Sequence, residues 1–100
     1  MFYSIVTWTA TDAWGNLPPP PTDEQKAASL AMAKTIVPDY ESVLTVGFNP
    51  RQGKRIAMRT WPTAEAAQAW VDFSKAAFEG VDAVVATDPV DFTDFNMIAV

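Results

Sequence analysis

The first eight positions after the initial methionine, FYSIVTWT, are rich in β-branched and aromatic side chains and read as a strand over Phe2–Thr9. The pattern breaks over residues 10–21, ATDAWGNLPPPP, where a glycine and four consecutive prolines suit neither a helix nor a central strand. Helical spacing begins at Thr22. Leu30, Ala33, Ile36 and Val37 fall on one side, and TDEQ fits a capping box with Thr22 as N-cap and Gln25 reaching back. Asp23 and Glu24 suit the positive end of the helix dipole, and Pro38 stops the helix. Residues 42–48 read as a second strand, and NPRQG closes a hairpin into a third, KRIAMRTW, over Lys54–Trp61. Thr63 caps a second helix that runs to about residue 79 and ends at Gly80. Residues 81–87 read as a fourth strand, and residues 95–100 as a short fifth strand or an arm.

The order is β-α-β-β-α-β, the ferredoxin-like arrangement. It predicts an α+β fold: one antiparallel sheet, both helices on one face, the other face open. A chain of 100 residues is a single domain over 1–100.

Alternation then sorts the side chains of the third strand. Ile56 and Met58 form its aliphatic set and are expected to face the helices, which sends Arg55, Ala57, Arg59 and Trp61 to the open face. The first strand fits either way round; the choice that turns Tyr3 and Ile5 inward sends Phe2, Ser4, Val6 and Trp8 outward. Trp8 and Trp61 around two arginines make an apolar surface too large for a monomer to leave in water, so a homodimer through that face is expected. On the second helix, Gln68, Asp72, Lys75 and Glu79 share a narrow polar sector, and apolar residues occupy the rest. One sheet face needs a narrower stripe. A C-terminal arm carrying Phe92, Phe95 and Met97, from this chain or a partner, is one candidate to cover the remainder; deep packing in the core is the other.

Composition narrows the chemistry. The chain has no cysteine and no histidine, which removes disulfides, thiol nucleophiles, zinc thiolate sites, histidine-dependent triads and haem ligation through histidine. The formal net charge of -5 argues against a nucleic-acid binder. The start, MFYSIVTWTA, has no basic n-region, and no run approaches the length needed to span a membrane. A soluble cytoplasmic protein is the expectation, with no membrane partner.

The segment RTWPTAEAAQAWVDF resembles the strand-then-helix signature of the dimeric α/β-barrel superfamily, which includes antibiotic-biosynthesis monooxygenase-like domains. The resemblance implies a homodimer whose open sheet faces form a barrel, with or without a ligand cavity. Haem-degrading members of that superfamily rely on an Asn, Trp and His set, and this chain has no histidine. Cofactor-free oxygenases of the same superfamily act through polar pocket groups, for which Asn16, Trp8, Arg59 and Trp61 are the matching candidates here. The other reading of Trp8 and Trp61 is that they fill a dimer core.

Arg51, Lys54, Arg55 and Arg59 are four of the seven basic residues. They suit either an anion site, for a carboxylated ligand or nucleic acid, or a solvated hairpin with ion pairs to the late aspartates Asp82, Asp88, Asp91 and Asp94, within the chain or across a dimer; a small anionic or aromatic ligand is the possible partner besides a second copy. DPVDFTD lacks the EF-hand spacing and its glycine, so no metal is expected. No phosphate-binding glycine loop is present, and no cofactor is expected. The element order is also that of the RNA-recognition motif, whose stacking aromatics sit on the first and third strands. GKRIAMRTW lacks the paired aromatics of that motif. Trp14, Asn16 and Leu17, in the proline-rich stretch, are candidates for a lid or a dimer contact.

The leading expectation is thus a non-catalytic interaction protein that homodimerises through the open sheet face, with Trp8, Arg55, Arg59 and Trp61 on that face. A cofactor-independent oxygenase or isomerase acting on a small aromatic or anionic substrate is the first alternative. An RNA-binding module is the second.

Overall fold

In the computed structural model, the described residues are 1–9, 22–39, 43–78 and 80–98. They form β1 (Phe2–Thr9), α1 (Asp23–Ile36), β2 (Leu44–Asn49), β3 (Lys54–Trp61), α2 (Ala64–Ala77), β4 (Asp82–Ala86) and β5 (Asn96–Ile98). The five strands make one antiparallel sheet in the order β4-β1-β3-β2-β5. This is the ferredoxin-like order with an extra C-terminal strand at the β2 edge. Trp14, Asn16 and Leu17 lie outside the described residues.

Local chemistry sets the element ends. Thr22 and Gln25 form the reciprocal capping box: the Gln25 N–H donates to Thr22 Oγ1 at 3.2 Å, and the Thr22 N–H donates to Gln25 Oε1 at 2.9 Å. Thr63 caps α2 by accepting the Ala66 N–H at 3.2 Å. In the β2–β3 hairpin, Asn49 Oδ1 accepts from the Arg51 and Gln52 amides, and Gly53 takes the left-handed conformation the turn requires, with φ 60°.

Both helices lie on one face of the sheet. There, α2 packs directly on β1, β3 and β4. By contrast, α1 rests on α2 and on side chains that rise from the sheet; none of its Cα atoms lies within 8 Å of a strand Cα. Small residues let the two helices close over a large ring: Ala33, Ala66 and Ala67 surround Trp61 and Trp70, with Met32 and Ile36 beside them. A second group, Val6, Val71 and Ala83, continues the core toward β4. The breadth of apolar surface on α2 is therefore met by the sheet on one side and α1 on the other. The C-terminal arm does not cover this helix.

Candidate functional site

Cross-strand register places Phe2, Ser4, Val6 and Trp8 opposite Trp61, Arg59, Ala57 and Arg55, so all eight share one face. That face is the one under the helices. Trp61 is completely buried among Ala33, Ala66, Ala67 and Trp70, and its Nε1 donates to Ser4 Oγ at 2.9 Å. Trp61 and Trp70 lie 5.6 Å apart between ring centroids, and Trp70 and Phe73 5.2 Å.

The alternation predicted for β3 holds, but its faces are exchanged. The reason is side-chain capacity rather than charge. A tryptophan and the long stems of two arginines fill more of the core than Ile56 and Met58 would. Each guanidinium then lies over an indole: Arg55 over Trp8 and Arg59 over Trp70, both at 4.9 Å from the ring centroid. Such stacking stabilises a desolvated cation by about 1–2 kcal/mol. Arg59 is 4% exposed, and its Nη2 donates to Ser29 Oγ on α1 at 3.4 Å. Burial lowers the pKa of both arginines. Both remain charged at neutral pH, because a guanidinium starts so high. At the other end of the face, Trp8 meets Phe78 edge-on at 5.8 Å.

Trp8, Arg55, Arg59 and Trp61 thus share one face as expected, but it lies beneath the helices and is not the open sheet face, and Trp8 with Arg55 sits at the opposite end of it from Trp61. An RNA-stacking platform on strands one and three would need these aromatics on the open face, and they are not there. Of the three residues expected to line a substrate pocket, Trp61 and Arg59 are buried among packed side chains and Trp8 is half-buried.

The open face carries the alternate set. Its central row runs Val84, Ile5, Met58 and Thr45 across β4, β1, β3 and β2. Beside it lie Ala86, Tyr3 and Thr60 on one side, and Asp82, Thr7, Ile56, Gly47 and Met97 on the other. Val84 is 54% exposed and Met97 56%, both high for apolar residues in a sheet.

Part of this face is covered by the chain itself. Residues 87–95 pass from β4 to β5 across it. The Val90 N–H points at Met58 Sδ at 3.3 Å, and Phe92 and Phe95 pack edge-to-face over Gly47 with centroids 5.2 Å apart. A Cβ at Gly47 would lie 2.8 Å from Phe92 Cδ1 and 3.0 Å from Phe95 Cβ. Arg51 in the hairpin pairs with Asp94 at 3.2 Å, so a basic hairpin and an acidic tail do meet, within one chain and in full view of solvent. Asp91 accepts hydrogen bonds from the Thr93 hydroxyl and amide, which lower its pKa. Among the described residues, no three carboxylates gather as a metal site would need.

The residues that sequence reasoning missed are Ile5, Val84 and Gly47. A glycine inside a strand signals close backbone approach, and Gly47 carried that signal. Val84 sits where strict alternation within DAVVA puts a valine away from the helices.

No helix among the described residues is long and apolar enough to cross a membrane. Compared with family models, with curated proteins and with solved structures, the chain matches none.

Proposed function

We propose that the protein is a small non-catalytic interaction protein that pairs with a second copy of itself through the half of the open sheet face beside β4. One observation carries this reading: the apolar row Val84–Ile5–Met58 has its β4 end in water while its β2 end is covered by the chain's own C-terminal segment. Burying the exposed end against its symmetry mate removes apolar surface from water, and a two-fold contact of like surfaces is the commonest way to do so. The resemblance of RTWPTAEAAQAWVDF to dimeric α/β-barrel proteins points the same way. The site proposed here differs from the one expected from the sequence, because Tyr3, Ile5 and Val84 replace Trp8, Arg55, Arg59 and Trp61.

A non-catalytic role fits a chain whose two buried arginines lie over indoles and which has neither histidine nor cysteine. We place the protein in the cytoplasm, since a cysteine-free chain gains nothing from an oxidising compartment.

Sedimentation velocity over micromolar concentrations tests the pairing. The wild type is expected to form a dimer, and Val84→Asp, at an exposed position, is expected to stay folded and monomeric. A wild-type monomer across the whole range would overturn the proposal.

A further inference from the structure

The topology forces a crossing. β4 and β5 both run antiparallel to a neighbour on opposite edges of the sheet, and counting through β1, β3 and β2 makes them point the same way. The connection must therefore return along the sheet as well as cross it. With the helices on one face, it crosses the other. Four strand spacings are about 19 Å, and the nine residues 87–95 reach about 30 Å when fully extended. The segment is nearly taut and has no length for a detour around the sheet.

Its seat is specific, but its hold is small. The seat is the notch at Gly47, shaped for the Phe92–Phe95 pair, which is tied by a Phe95 N–H to Phe92 O bond of 3.0 Å. Among the described residues, what holds the segment outside the notch is a three-residue strand, the contact of Val90 with Met58 and an exposed ion pair. Asp88, Pro89, Asp91, Thr93 and Asp94 all face solvent. Beneath the segment lie Met58, which continues the Val84–Ile5 row, and Gly47, which with Ile56 belongs to the adjacent row of the same face.

We infer that residues 87–98 are a built-in cover that limits pairing: seated, they confine a second copy to the β4 side of the sheet face; lifted, they open the β2–β3 side and the β2 edge to that same second copy. The inference rests on the proposed pairing of two copies. The occupant is a second copy because the uncovered strip is continuous with the surface already assigned to it. An opened β2 edge adds unpaired backbone groups to the contact.

The experiment uses the full chain in three forms: wild type, Gly47→Ala and Phe92→Ala. Gly47→Ala pushes a methyl group into Phe92, whereas Phe92→Ala empties the notch and leaves β2 untouched, so the second variant answers if the first disturbs the strand. Hydrogen exchange reports seating, and sedimentation reports pairing. The expected result is exchange at residues 90–98 at least about tenfold faster, unchanged exchange in α2 and β1, and pairing at least about tenfold tighter. Unchanged exchange at residues 90–98 in both variants overturns the cover. So does faster exchange with equal or weaker pairing, while a wild-type dimer in that case leaves the proposed function standing. A wild-type monomer whose variants dimerise supports the cover and overturns the wild-type pairing. Monomers in all three forms overturn both.

Discussion

The two faces of this sheet are finished in opposite ways. On the helix side, six aromatic residues, two arginines and a set of alanines pack together, and Trp61 gives even its single polar hydrogen to a buried serine. On the other side, two phenylalanines sit in a notch over one glycine and most of the covering segment faces water. The first face has to open for the protein to unfold. The second can open while the protein stays folded. Local stability tracks buried apolar contact, so one molecule holds a region near the global limit and another near the low end.

The largest test of that contrast is Trp61→Ala. It removes the centre of the helix-side core and leaves the Ser4 hydroxyl buried without its donor. A loss of about 3–5 kcal/mol in urea unfolding is expected, spread over every probe of the fold. A loss below about 1 kcal/mol would mean that the helices are not held through this ring. Next comes Arg59→Met, which keeps the length and apolar stem but drops the charge. If packing is what seats Arg59, the change costs less than about 1.5 kcal/mol, since buried charges are often replaceable by apolar groups of similar size. A cost similar to that of Trp61→Ala would show that the guanidinium itself holds α1 to the sheet.

The smallest effect belongs to the covering segment. Hydrogen bonds from the Thr93 hydroxyl and amide lower the Asp91 pKa, so Asp91 stabilises its turn fully above the ordinary carboxylate value of 3.8. That contribution is lost as the pH falls through the lowered value. Faster exchange of the Thr93 amide, corrected for intrinsic rate, is expected only in that acid range, with α2 unaffected. Asp91→Asn should remove the pH dependence.

Much of the fold was legible in the chain. The capping box at Thr22 and Gln25, the cap at Thr63 and the third strand over Lys54–Trp61 fall where spacing put them. Other ends shifted by one or two residues, with β2 beginning at Leu44 and β4 ending at Ala86. The orientation of the sheet was not legible from β3 alone. Both of its faces are amphipathic, and a rule that sends charge outward misplaces an arginine whose charge rests on an indole. The register with β1 carried the missing information: Val6 and Ala57 share a face with Trp61, and Val6 packs on Val71 of α2. The path of residues 87–95 was hidden for a different reason. It follows from the relative direction of two edge strands, and a linear sequence states no directions.

That late crossing has a consequence for the order in which the molecule is completed. Both helices and the first four strands are made by Ala86, and the twelve residues 87–98 come after. At about 5–20 residues per second, adding them takes roughly 0.6–2.4 s. Until residues 87–98 have emerged and seated, a domain formed by the earlier elements has an uncovered sheet face and a β2 edge with no neighbour. A second nascent chain nearby then competes with the chain's own last segment for the same surface, so crowding on the message can bias what the finished protein becomes.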